Sequence, residues 1–160
     1  MTDALPGFTW LPGLALRTLG GAVIWANDET FAEKHNHINP GPADFHPATF
    51  GHKGQVYDGW ETARRRDDGN DRVVIRSAGP GRVRLAEIDT SYFVGNCPGA
   101  PALSGPRDDG EWIELLPRTE LLPDTRHPLL VDTKGVVHQS RLEIFSDGDV
   151  ARLRLFGELA

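Results

Sequence analysis

Apolar residues along this chain fall in short runs that mix with polar ones at a period of two, and each run is closed by Gly, Pro, Asp or Asn. Val73–Ile75, Val83–Ile88, Trp112–Leu116, Leu129–Val131, Arg141–Phe145 and Val150–Phe156 are such runs. Strands with one face in a core and the other in water require that pattern. The last run is the clearest: Leu153 and Leu155 share one face, leaving Arg152 and Arg154 to a predicted solvated one. Only Asp28–His37 reads as a helical turn or two, with Asp28 or Thr30 as its cap. The 12 prolines and 18 glycines favour turns and long loops over helices. Together these signals predict an all-β domain, a β-sandwich, over residues 19–160. Residues 1–18 read as an extended N-terminal arm that packs on the sandwich or on a partner chain.

Composition narrows the classes of function. A length of 160 residues suits one domain with a self-sufficient core. Cys97 is the single cysteine, so an internal disulfide is excluded. With neither a signal-peptide pattern nor an apolar run of membrane-spanning length, a cytoplasmic protein without a membrane partner is expected. The net charge of −6 opposes binding to a phosphate backbone, so nucleic acid is not expected as a partner.

Candidate chemistry concentrates in Asp58–Arg66, DGWETARRR, where two carboxylates, an indole and three guanidiniums occupy one short segment. Arg64, Arg65 and Arg66 are planar cations suited to bidentate recognition of a carboxylate or ureido group, and Asp58 and Glu61 can orient them or move protons. The plainer alternative is an arginine run on a solvated loop, with Trp60 as a core anchor rather than a pocket wall. His35, His37, His46 and His52 also lie close in sequence. Gly and Pro fill the intervals without an acidic ligand at a recognised spacing, so no metal site is assigned.

Three further blocks extend the pattern: EIDTSYFVGNCP (Glu87–Pro98), ELLPRTEL (Glu114–Leu121) and HQSRLEIFSDGDVARLRLFG (His138–Gly157). GGAVIWANDETFAEKHNHI (Gly20–Ile38) lies upstream. In this order the blocks resemble one repeat of the allantoicase family, enzymes that hydrolyse allantoate to ureidoglycolate and urea, and the ARRR and ELLPRT wording is most similar to the second repeat. The resemblance implies a jelly-roll sandwich of the galactose-binding-like type, a hydrolase acting on linear ureido C–N bonds in purine (allantoin) degradation, and a small ureido acid as substrate. It implies no resident cofactor, leaving a divalent ion open. Since family chains usually carry two repeats, it also implies a homodimer or higher homo-oligomer.

Carried over position by position, the resemblance places Arg65 and Arg66 as clamps, with Asp58 and Glu61 beside them. Asp28 and Glu29, following Asn27, match a family S-D-E run whose plain reading is a turn and cap. Asp89, Thr90 and Asn96 match the IDTS-x-F-x-GN segment, as substrate contacts or as a buried hydrogen-bond network. His138 and Arg141 match H-x-R-L, with His138 the candidate general acid or base or else a structural imidazole. Two departures stand out: GNDR (Gly69–Arg72) where the family reads GHDW, and Tyr92 where it reads His. Those replacements leave a second reading open, a single-repeat module that binds a ureido or carboxylate ligand, or a partner repeat, without catalysis.

Overall fold

The computed structural model describes residues 8–45, 47, 49–52, 54, 55, 58–132 and 135–160. Its strands are β1 (Ala22–Ala26), β2 (Phe50–Gly51), β3 (Gly54–Gln55), β4 (Trp60–Glu61), β5 (Asp71–Asp89), β6 (Ala100–Pro106), β7 (Trp112–Leu116), β8 (Arg126–Leu130), β9 (Val137–Phe145), β10 (Asp149–Val150) and β11 (Arg152–Leu159). Short 3-10 turns at Phe8–Trp10, Arg17–Leu19 and Lys34–Ile38 supply the helical content of the described residues. All the described pairings are antiparallel, so the all-β expectation holds.

The long strand β5 serves both layers. Its residues 71–76 pair with β1 and β9, while 81–89 pair with β11 and β8. Between them the chain folds back at Gly79-Pro80-Gly81, because both ends of β5 reach the same segment: the Asp71 N–H donates to the Ser146 carbonyl at 3.1 Å, and the Ala151 N–H to the Asp89 carbonyl at 2.8 Å. One layer therefore runs β1-β5-β9-β6-β7 and the other β11-β5-β8. Alternation puts Val73, Ile75, Leu142 and Ile144 inward from the first layer and Ile88, Leu153 and Leu155 from the second, each fully buried.

The arm's described part is built into this sandwich. Leu14 donates its N–H to the Leu155 carbonyl at 2.7 Å, Ala78 donates to the Leu14 carbonyl at 2.8 Å, and Leu14 itself is buried. Two expectations need correction. Asp28–His37 forms no α-helical turn; the 3-10 turn starts six residues after Asp28, behind Glu33, which makes no side-chain cap bond. Arg152 is not on a solvated face: it is 3% exposed. An alternating strand signals two faces, but covering by the 36–44 loop decided which one sees water.

Candidate active site

The loop end of the sandwich collects the residues after β1, the β4 segment with its arginine run, the start of β5, the 146–150 turn and Asn96. Strand β4 pairs with β10 and sets Glu61 directly opposite Asp149. Both carboxyls are buried, and among the described residues Glu61 Oε2 and both Asp149 carboxylate oxygens lack a hydrogen bond of good geometry. Burial therefore raises both proton affinities: Glu61 is pushed up to about 7, and Asp149 to about 8, by burial first and by the Glu61 charge second. The Asn96 side chain is near enough to oppose the Asp149 shift only in part. Two buried carboxyls that face each other in this way hold a proton near neutrality, the condition for a general acid.

Beside this pair, the arginine run divides. Arg65 is committed to the protein: Nη1 donates to Asp71 Oδ1 at 2.7 Å, Nε to Asp67 Oδ1 at 3.0 Å, and its backbone N–H to Asp147 Oδ2 at 2.5 Å. Hydrogen bonds to Asp71 and then Asp67 hold its guanidinium more firmly charged than usual. Arg64 and Arg66 are exposed. Asp71 is fully buried and also accepts from Asn27 Nδ2 at 2.9 Å. Arg65→Ala is thus expected to lower stability by about 1–3 kcal/mol, since it leaves Asp71 a buried acceptor short of its cation; chemical denaturation reads this directly. An unchanged denaturation midpoint would show that Asn27 suffices for Asp71.

The other predicted residues sort by contact. The Asp28 carbonyl accepts from Trp60 Nε1 at 2.7 Å, and its Oδ1 accepts from the Thr30 N–H at 2.8 Å. Trp60 is fully buried, in line with the core-anchor reading. Glu29 pairs with Lys34 Nζ at 2.7 Å. Asp58 grips Arg152 through both oxygens, at 3.0 and 2.6 Å. Asp89 Oδ1 accepts from the Ser91 N–H at 2.8 Å, and Thr90 Oγ1 ties down the 122–125 loop through the Thr125 N–H at 3.0 Å. Asn96, exposed, gives its carbonyl to the Asp149 N–H at 2.9 Å.

His138 and Arg141 lie elsewhere. Arg141 sits 4.5 Å over the Trp112 ring and 3.2 Å from Glu143 on the outer face of the first layer. His138 borders a surface hollow with Gly20, Arg76 and Pro80, beside the fold-back of β5. The β5–β9 register sets Asp71 opposite Ile144, six residues along β9 from His138, roughly 20 Å at strand rise. An imidazole there cannot exchange a proton with a group bound at Glu61. His138→Ala should therefore leave turnover within about twofold of wild type, well short of the roughly 10²–10⁴ loss of a general acid or base; steady-state rates with allantoate test it.

Of the clustered histidines, His37 is buried and tilted against Trp60 at a centroid distance of 5.8 Å. Burial pulls its affinity for a proton down to about 4, so it is a neutral core group. His46 lies outside the described residues. Among the described residues no three His, Cys, Asp or Glu side chains are grouped to hold a metal ion.

Asp71, Asp147 and Asp149 are the carboxylates that the sequence patterns did not single out. A signal existed in Asp147-Gly148-Asp149: Gly148 adopts φ 139° and its Cβ position lies 2.7 Å from the Asn96 carbonyl oxygen, so only glycine fits between two acids there.

The Allantoicase repeat profile matches residues 12–160. "Probable allantoicase" of Nocardia farcinica is 47% identical over 164 aligned positions, covering 95% of this chain and 50% of that protein. "Probable allantoicase" of Ralstonia nicotianae is 39% identical, covering 96% and 48% respectively. This chain therefore spans about half the length of the curated relatives it matches. The crystal structure of allantoicase from Saccharomyces cerevisiae superimposes with a TM-score of 0.81 at 29% identity, over 94% of this chain and 49% of that one. A family 32 carbohydrate-binding module from a Clostridium perfringens glycoside hydrolase superimposes at 0.65 with 13% identity, over 89% and 94%, a likeness of fold alone that marks the sandwich as galactose-binding-like. Among the described residues no helix is long and apolar enough to cross a membrane. With the repeat matched along nearly its whole length, this chain belongs to the allantoicase family.

Proposed function

We propose that this chain converts allantoate and water to ureidoglycolate and urea, as a cytoplasmic step of allantoin degradation. The observation that carries the reading is the buried Glu61–Asp149 pair, which keeps a proton near neutral pH at the loop end of an allantoicase repeat. Breaking the bond from the central carbon of allantoate to a ureido nitrogen makes urea the leaving group, and that nitrogen must gain a proton as the bond opens. Glu61, 6% exposed, supplies it; Asp149 opposite keeps the pair from ionising fully, and water adds its hydroxyl to the carbon while its remaining proton restores Glu61. Asp28, with Asn96 at the rim, supplies polar groups for the ureido functions. The reading includes a homodimer, in which two copies pack as the two repeats of a family chain do.

The test is urea and ureidoglycolate release from allantoate by the purified chain, with solution mass measured on the same sample. Turnover by a species of twice the chain mass supports both parts of the reading. Binding without turnover would instead favour a module that has kept the fold and lost the chemistry.

A further inference from the structure

Arg152 and Arg154 extend outward from β11, away from the core that Leu153 and Leu155 occupy, and the 36–44 loop lies across them. The register places Arg152 opposite Asp89, with Arg126 opposite Asp89 from the other side, and Arg154 opposite Glu87. These residues and Gly41 line a groove of about 300 Å³. Three separate sequence blocks meet here: the one that supplies Asp58, the one that supplies Glu87 and Asp89, and the last strand.

The three guanidiniums are not equivalent. Arg152 is closed by Asp58. Arg126 reaches Glu87 Oε1 at 2.8 Å while staying at the exposed rim. Arg154 donates to the Gly41 carbonyl at 2.7 Å, and its Nη1, shut away from water, has no hydrogen-bond partner among the described residues. Burial and the neighbouring Arg152 both work against its charge. A half-buried guanidinium in this state gains most from a planar anion that takes two of its N–H donors. The acidic side of the groove, Glu87 and Asp89, offers acceptors for N–H groups farther along β5.

We infer that this groove binds the carboxylate of a small ureido acid, with Arg154 and Arg126 on the carboxylate and Asp89 accepting from the ureido N–H. The inference rests on the reading of the chain as acting on a ureido acid and gives β11 and β8, rather than the arginine run where Arg65 is already saturated, a carboxylate-binding groove of their own.

Hydantoate, which carries one carboxylate and one ureido group, is the probe, titrated by calorimetry and followed at the Arg side-chain Nε–H resonances. Binding should be saturable, weakened about tenfold or more by Arg154→Gln, the loss of one charge-assisted contact, weakened in part by Arg154→Lys, and unchanged within about twofold by the double variant Arg64→Gln, Arg66→Gln. If Arg154→Gln does not fold, Arg126→Gln at the rim takes its place, with a several-fold loss expected. Loss of binding in the Arg64/Arg66 variant with retention in Arg154→Gln, or no saturable binding by wild type, overturns the assignment. Hydantoate lacks the second ureido group that leaves from allantoate, so its binding is read independently of turnover and the two claims fail separately.

Discussion

Glu61→Gln is expected to abolish urea release from allantoate and, at pH 8, to leave the protein more stable than wild type. The catalytic half follows from removing the proton donor, an effect of about 10²–10⁴ in rate. The stability half follows from linkage. Glu61 titrates near 7 in the folded protein because of burial, against 4.5 for an ordinary glutamate. The folded state therefore binds more protons than the unfolded one between these values, and stability falls as pH rises through that window. Above it the wild type carries a buried charge that costs on the order of 3 kcal/mol, since each tenfold change in proton affinity is worth about 1.4 kcal/mol. Glutamine never ionises, and its amide can donate to Asp149, so the variant escapes that cost at pH 8 while gaining nothing below the ordinary glutamate range. Guanidinium denaturation at pH 5 and pH 8 reads the difference. Equal stability of the two proteins at pH 8 would mean that Glu61 is not held protonated by its surroundings.

Arg152→Met should be the most destabilising single change at the site, by about 3–5 kcal/mol, because it removes a buried guanidinium and leaves Asp58, 27% exposed, without its cation. The guanidinium does more than neutralise Asp58: its Nη1 and Nε lie 3.1 Å from the carbonyls of Asn36 and Gly41, which otherwise lose a donor. Asp58 Oδ2 also accepts from the Asp44 N–H at 2.9 Å, so the loop is tied to β11 through both partners. Adding Asp58→Asn to Arg152→Met should recover part of the loss, since no half-buried carboxylate is left without its cation. A midpoint shift below about 1 kcal/mol for the single variant would show that water reaches Asp58 and replaces the pair.

The strand pattern made the architecture legible because alternation reports burial directly: Leu153 and Leu155 are core residues, and Trp112–Leu116 is β7 with the same bounds. Strand β6 escaped because Pro101 and Pro106 flank its apolar positions and read as turn residues. The candidate site overlaps the DGWETARRR segment that the sequence singled out, but the contacts there differ from the expected ones. Glu61 stood in that segment; Asp149, whose proton affinity the Glu61 charge helps to raise, is distant in sequence and is brought opposite by the two-residue pairing of β4 with β10. The arginine run looked like the anion clamp because adjacent cations attract attention, whereas Asp67 and Asp71 already neutralise Arg65. Conversely, period-two alternation put Arg152 and Arg154 outward, and only a loop remote in sequence turns that outward face into a groove. The replaced positions Asn70, Arg72 and Tyr92 are in surface contacts instead: Asn70 to Glu143 at 2.9 Å, Arg72 over Trp25, and Tyr92 against Phe45. The loss of imidazole at Asn70 and Tyr92 therefore leaves the Glu61–Asp149 pair untouched.

The measurement that bears most directly on the central claim is urea release from allantoate by wild type and by Glu61→Gln, both confirmed folded and assayed across pH 5 to 9. The account predicts turnover by the wild type that declines as the Glu61–Asp149 pair loses its proton above neutrality, and none by the variant. Wild-type activity retained by Glu61→Gln, or a rate that rises steadily to pH 9, would contradict it.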